Sequence, residues 1–189
     1  MVSFIIALTY LLVGVTFAWP TDLLGLEKSS TASLVTRRDA ITSRYTAVRD
    51  AAAAAGRTLR NGEWHYLRLC TPLSGPPQNR IQRETGCEHH FLVVGKVIKK
   101  GVFTQRKDFE GRIYHVRYAD DTRSWFWTTH EYHAWEHQWI YYGGPTTSRK
   151  ASRDRLDTLS TTWVNHYGSC WDLGEGNCLG YYKYIASNL

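Results

Sequence analysis

The stretch HHFLVVGKVI, residues 89–98, decides the fold of this chain. Its run of aliphatic and β-branched residues predicts a strand that is buried in the middle of a sheet. Gly101 and Gly111 separate it from RIYHVRYA (112–119), in which apolar and polar residues alternate as in a half-buried strand. Because the two segments are such close neighbours in the sequence, we expect them to pair in the antiparallel sense.

Segments on both sides of these strands extend the predicted sheet. EWHYLRLC (63–70) is a candidate strand, and the Pro/Gly-rich residues 71–80 after it predict a loop. SWFWTT (124–129) and WEHQWIYY (135–142) are candidate strands further along, the second of them ended by Gly143-Gly144-Pro145. The sequence therefore predicts a mostly antiparallel sheet of four to five strands.

Helical patterns flank the strands. The Ala-rich residues 39–55 predict an N-terminal helix, and apolar residues at helical spacing predict a second helix within 147–168. A final short helix is predicted from Cys178, with one apolar face formed by Cys178, Tyr182, Ile185 and Leu189. One helix, then the sheet, then two helices predict a single α+β domain over 39–189.

The N-terminal residues predict secretion. Residues 2–18 form an apolar run that ends in small residues, which is typical of a signal peptide over 1–18. Residues 19–38 are rich in Ser and Thr and end in a dibasic pair, which favours a pro-segment or linker. No other stretch is apolar for long enough to span a bilayer. We expect a small secreted, extracellular protein of the fungal effector type, with delivery into a host as an open alternative.

Four cysteines bear on whether this protein is an enzyme. An even number of cysteines in a secreted chain predicts two disulfides, and the simplest of the three pairings joins Cys70 to Cys87 and Cys170 to Cys178. Cys178 then has two open roles, because it is either half of that second bridge or a free nucleophile. If it is bridged, the protein is a non-catalytic, disulfide-stabilised interaction module.

The surroundings of Cys178 suit a nucleophile. Cys178 follows Asn177 in the first turn of the final helix, where backbone N–H groups favour a thiolate and can hold an oxyanion. A thiol nucleophile needs a base, usually a histidine, and a third group that orients the base. His89 or His90, at the start of the central strand, and His115, on the next strand, are the candidates.

Three features together resemble the circularly permuted papain-like fold. They are the strand His89–Gly95 (HHFLVVG), a second strand that carries His115, and the Asn177-Cys178 pair that opens a helix. This group includes the lecithin:retinol acyltransferase-like and NlpC-related proteins, which are thiol acyltransferases, amidases or peptidases. The resemblance covers two stretches, 88–119 and 165–189.

The resemblance assigns a role to each of the three residues. It implies that Cys178 is the nucleophile, that His89 is the base because it lies six residues before Gly95, and that His115 orients the base. The implied activity is that of a cysteine-dependent hydrolase or acyltransferase, and we expect no cofactor.

A second cluster, residues 130–137, invites a metal interpretation. His133 and His137 would share one face of a helix, with His130 and Glu136 nearby. However, the order is not H-E-x-x-H, and the Trp and Tyr residues around it favour a strand and turn. We expect histidines beside aromatic packing here, and no metal site.

A ribonuclease-like or RNA-binding secreted protein is the third alternative. General acid/base groups are available in Glu110, His115, Arg117, His133 and His137. Aromatic residues that could stack on bases are Trp125, Trp127, Tyr141 and Tyr142. The net charge of +6 permits an anionic ligand, nucleic acid or a host protein as a partner, but demands none of them. We expect a monomer.

Overall fold

The chain runs from helix to sheet to helices, as a computed structural model shows. The elements are β1 (Ala40–Ile41), α1 (Ser43–Ala54), β2 (Trp64–Pro72), α2 (Arg80–Thr85), β3 (Cys87–Lys100), β4 (Arg106–Ala119), β5 (Ser124–Glu131), β6 (Trp139–Thr146), α3 (Arg153–Tyr167) and α4 (Cys178–Ala186). The structure describes residues 40–101, 105–119, 121–134, 138–168 and 175–189. The predicted signal peptide (1–18), the pro-segment (19–38) and Cys170 lie outside the described residues.

The five long strands, β2 to β6, form one antiparallel sheet. Its order is β4-β3-β2-β6, and β5 pairs with the other edge of β4. The two-residue strand β1 pairs with that same edge of β4 in the parallel sense. Residues 90–95 of β3 are consecutively buried, which confirms that this stretch is a central strand. The α+β class predicted from the sequence is also confirmed.

Helices cover both faces of the sheet. On one face, α1 packs against β4 and β6 over an apolar cluster that includes Val48, Leu67, Val93 and Ile113. On the other face, α3 and α4 pack over a cluster that includes Leu92, Tyr114, Trp163 and Ile185. Because successive side chains of a strand point to opposite faces, β3 contributes alternate residues to the two clusters. Within the described ranges, no helix is long and apolar enough to cross a membrane.

The β-strands are longer than the sequence pattern predicts. Most of the predicted loop between the two central strands is strand, because β3 runs to Lys100 and β4 begins at Arg106. The predicted loop 71–80 instead ends at the short helix α2, whose N-cap Asn79 accepts a hydrogen bond from the backbone N–H of Gln82. Long-range pairing thus orders residues whose local composition favours a loop.

Strand β6 also differs from its predicted position at 135–142. It covers Trp139–Thr146 and so contains Gly143-Gly144-Pro145, which the sequence pattern assigned to the end of the strand. Proline lacks the backbone N–H that strand pairing uses. It is tolerated in β6 because β6 is an edge strand of the described sheet and pairs only with β2. The ladder with β2 also shifts register between Tyr66 and Leu67.

The buried face of α4 is rotated from the predicted one. Ile185 and Leu189 are buried as expected, but Tyr181 is fully buried in the place of Tyr182, which is only partly buried. The hydroxyl of Tyr181 lies 2.7 Å from Oγ of Ser160 in α3. The face shifts because α4 packs against α3 as well as against the sheet.

Candidate active site around Cys178

Cys178 is the first residue of α4. The N-cap Asn177 is buried, and its side-chain oxygen accepts hydrogen bonds from the backbone N–H groups of Leu179 and Gly180, both at 3.0 Å. This arrangement satisfies two of the N–H groups that a helix N-terminus leaves without partners. The predicted start of the final helix is therefore correct. As the first residue of α4, Cys178 has its thiol at the positive end of the helix dipole.

The thiol of Cys178 is largely enclosed by protein. It is a free thiol, and its sulfur accepts hydrogen bonds from the backbone N–H groups of His90 and Leu179. Burial is the largest influence on this group, and it raises the pKa of the Cys178 thiol above the ordinary value despite these donors. Cys178 is thus a neutral thiol at physiological pH, and a base must take its proton before it can attack an acyl group.

The sheet provides an opening for the sulfur next to β3. The ladder between β3 and β4 runs from Lys100 and Arg106 as far as Leu92 and Tyr114. On its other side β3 stays paired with β2 as far as His89 and beyond. Before Leu92, the side of β3 that faces β4 is therefore no longer part of the β3–β4 ladder. On this side the backbone N–H of His90 bonds to the sulfur of Cys178.

His89 and His115 are brought together by the sheet. Nε2 of His89 lies 3.1 Å from Nδ1 of His115, and the ring of His89 also packs edge-on against Phe91. Burial lowers the pKa of His89 to about 4 and that of His115 to about 3. Both imidazoles are therefore neutral at physiological pH, the state in which a histidine can accept a proton.

His90 points to the opposite side of β3 from His89, toward α4. It is fully buried, and neither of its ring nitrogens has a hydrogen-bond partner. Burial, with the positive charges of Arg68 and Lys183 nearby, lowers its pKa to about 4. No hydrogen bond joins the sulfur of Cys178 to any histidine ring within the part of the chain that the structure describes. His90 thus contacts the thiol through its backbone.

The three buried histidines predict loss of stability in acid. Their pKa values in the folded protein lie below the ordinary value of 6.5, so the unfolded chain takes up protons first as the pH falls. The free energy of unfolding is therefore unaffected by these histidines above about pH 6.5, and it decreases progressively as the pH falls toward 4. For His90 alone, the difference between 6.5 and about 4 corresponds to about 3 kcal/mol of unfolding free energy at pH 4.

The variant His90→Leu tests this expectation. It removes one titrating group and two unpartnered buried nitrogens, so we expect a flatter dependence of the unfolding free energy on pH. Urea unfolding between pH 4 and pH 7 measures that dependence in the wild type and the variant. An unchanged slope in the variant would show that His90 is charged in the folded protein, contrary to its burial.

One disulfide holds the start of β3. Cys70 is bonded to Cys87, as predicted, and Cys70 also lies opposite His90 in the β2–β3 ladder. The bridge therefore ties the strand end that carries His89 and His90 to its neighbour. The predicted second bridge, Cys170–Cys178, involves a residue outside the described ranges, while Cys178 itself carries a free thiol.

The residues of the metal and ribonuclease hypotheses are only partly assembled. The ring of His130 lies 5.8 Å from that of His115, and His133 is exposed. Glu110 is engaged by Lys100 at 2.6 Å, whereas Glu136 and His137 lie outside the described residues. Among the described residues, no group of three or more His, Cys, Asp or Glu side chains is arranged to hold a metal ion.

The prediction from the sequence missed one contact of the site. It treated His90 only as an alternative base, but the structure uses its backbone N–H as a donor to the sulfur of Cys178. No residue type signals a backbone contact, so only the end of the β4 ladder reveals it. Comparison with family models, with curated proteins and with solved structures finds no match to this chain.

Proposed function

We propose that this chain is a small secreted thiol hydrolase or acyltransferase, with Cys178 as nucleophile, His89 as general base and His115 as the residue that positions His89. One observation carries the proposal. The sulfur of Cys178 bonds to the backbone N–H of His90, which lies in the plane of the sheet, so the sulfur sits at the open edge of β3 between the face that carries the ring of His89 and the face that carries the ring of His90. Nε2 of His89 is engaged by His115 at 3.1 Å, and this pairing supports the assignment of His89 as base and His115 as orienting group.

The geometry supports a two-step acyl transfer. With Nε2 of His89 bonded to His115, Nδ1 is the ring nitrogen left to take the proton from Cys178. The thiolate then attacks the carbonyl carbon of an ester or amide, the leaving group departs with the proton from His89, and a thioester remains. Water or another nucleophile, deprotonated by His89, cleaves the thioester and restores the thiol.

Two further features are compatible with these steps. The backbone N–H of Cys178, which the side chain of Asn177 does not occupy, is suited to hold the negative oxygen of the tetrahedral intermediate. The sulfur makes no hydrogen bond to the His89 ring, but catalytic hydrogen bonds are often long in a free enzyme and shorten when substrate binds. The neutral thiol and neutral histidines mean that the thiolate forms during the reaction and is not present at rest.

We also propose secretion, with action on a host protein or an anionic ligand. The apolar residues 2–18 and the small residues after them support a signal peptide. The Cys70–Cys87 disulfide supports the same conclusion, since disulfides persist in oxidising compartments. N-terminal sequencing of the exported protein would identify the cleavage sites, and an uncut chain retained in the cell would contradict secretion.

The first test is capture of the thioester. We expect purified protein treated with p-nitrophenyl acetate to gain one acetyl group on the peptide that contains Cys178, as measured by mass spectrometry after rapid acid quenching. The Cys178→Ser variant is the matched control and should show no acetylated thiol. Acetylation of native protein no faster than that of the urea-unfolded chain would contradict the proposal, because an unassisted thiol would explain it.

RNA cleavage is a second candidate, favoured by the histidines of the sheet. The rings of His89, His115 and His130 lie in sequence across β3, β4 and β5, and the positive charge of Arg117 acts on His115. A neutral histidine can act as general base at a phosphodiester, and an arginine can stabilise the negative charge that develops there. If this candidate is correct, Cys178→Ser will cleave RNA as fast as the wild type does, so the same variant separates the two functions.

A further inference from the structure

A cavity of about 600 Å³ lies where the segment after α1 leads into β2. Its lining includes Arg57, Arg60, Trp64, His65 and Tyr142. In the β2–β3 ladder His65 lies opposite Gly95, six residues along β3 from His89, which corresponds to about 20 Å. The cavity is therefore remote from Cys178, and a ligand bound in it would be independent of the thiol chemistry proposed for that residue.

A chain of hydrogen bonds leads to the wall of the cavity. Arg57 donates to the hydroxyl of Tyr142, and this hydroxyl lies 2.9 Å from Nδ1 of His65. Because the hydroxyl oxygen already accepts from Arg57, donation of its own proton to Nδ1 is favoured. Burial lowers the pKa of His65, so the ring is neutral and its one proton lies on Nε2.

Nε2 of His65 is a buried donor without an acceptor. His65 is only 2% exposed, and its Nε2 has no hydrogen-bond partner. The nearest carboxylate oxygen, on Glu63, lies 3.7 Å away, beyond hydrogen-bond distance. That oxygen instead accepts from the backbone N–H of Arg60 at 3.1 Å. An unpaired buried donor is unfavourable, and this one belongs to a residue that lines the cavity.

The charges at the cavity indicate what the acceptor is. Two guanidinium groups, those of Arg57 and Arg60, and one carboxylate, that of Glu63, line the cavity, so its net charge is positive. Guanidinium groups match the geometry of phosphate oxygens. We propose that the cavity binds a small phosphate monoester of mononucleotide size. Phosphate oxygens accept from Arg57, Arg60 and the Nε2–H of His65, and the rest of the cavity takes the organic group of the ester.

Calorimetric titration of the full chain with adenosine monophosphate, adenosine and inorganic phosphate tests the proposal. We expect saturable binding of adenosine monophosphate and binding of adenosine that is at least about tenfold weaker. Arg60→Gln should weaken the binding of adenosine monophosphate by about tenfold or more, since one charged donor is lost. Arg83→Gln, an exposed arginine of α2 away from the cavity, is the matched control and should bind like the wild type.

A spectroscopic measurement tests the role of His65 independently of affinity. In nitrogen-15 correlation spectra we expect the free protein to show the His65 proton on Nε2, and adenosine monophosphate to shift that resonance. Three results would overturn the proposal: no saturable binding, equal affinity for adenosine and its monophosphate, or equal weakening by Arg60→Gln and Arg83→Gln. Inorganic phosphate that binds as tightly as the monophosphate would overturn the assignment to a monoester.

Discussion

Gly95→Ala is expected to lower the free energy of unfolding by about 3 kcal/mol, the upper part of the range for overpacked cores. Gly95 lies opposite Gly111 in the β3–β4 ladder. A Cβ atom on Gly95 would meet the carbonyl oxygen of Glu110 at 2.5 Å and the ring of Phe109 at 2.6 Å. Phe109 is fully buried, so it cannot move aside without disturbing the core.

The two facing glycines make room for that ring. A Cβ on Gly111 would likewise approach the ring of Phe109, at 2.8 Å, so the aromatic side chain occupies the space above both glycines. Relief of the clash requires either a rotation of Phe109 or separation of the two central strands. Both changes would strain the ladder that ends beside His89, and we therefore expect reduced activity as well as reduced stability.

Urea unfolding of Gly95→Ala measures this effect. The matched control is Gly75→Ala, since Gly75 lies in the loop between β2 and α2 and a Cβ there would meet no atom within 4 Å. We expect the control to unfold like the wild type. A Gly95→Ala protein whose stability differs from that of the control by less than about 1 kcal/mol would show that the core accommodates the methyl group.

His89→Ala is expected to reduce kcat/KM for ester hydrolysis by about 10²- to 10⁴-fold, the usual contribution of a general base. The neutral thiol of Cys178 depends on a base for its deprotonation, because burial raises its pKa. The matched control is His133→Ala, which removes an exposed histidine of the same protein. If both variants retain equal activity, His89 is not the base.

His115 is a positioning residue in this mechanism, and its variants should behave differently. It contacts Nε2 of His89 at 3.1 Å, and in the proposed mechanism this bond leaves Nδ1 of His89 to take the proton of the thiol. We expect His115→Ala to lose activity and His115→Asn, which keeps a hydrogen-bonding side chain, to recover part of it. A loss that is the same in both variants would indicate a purely structural role for the ring.

The sequence predicts the parts of this site better than their arrangement. The aliphatic run after His90 predicts the central strand, and Asn177 before Cys178 predicts the start of α4, because both signals are local in the chain. The buried face of α4 differs from the one that helical spacing predicts, because spacing alone cannot report that Tyr181 bonds to Ser160 of α3. Strands β3 and β4 are also longer than predicted, because their pairing overrides the loop-like composition of the residues between them.

By itself, the sequence determined the order of the long helices and strands, the α+β class and the position of Cys178 at the start of a helix, but not the short elements β1 and α2. Only the tertiary structure decided that His89 contacts His115, that the β4 ladder stops at Leu92, and that the thiol bonds to the backbone of His90. The physical reason is separation along the chain. Periodicity and capping act within a few residues, whereas these contacts join segments that only the register of the sheet and the docking of α4 bring together.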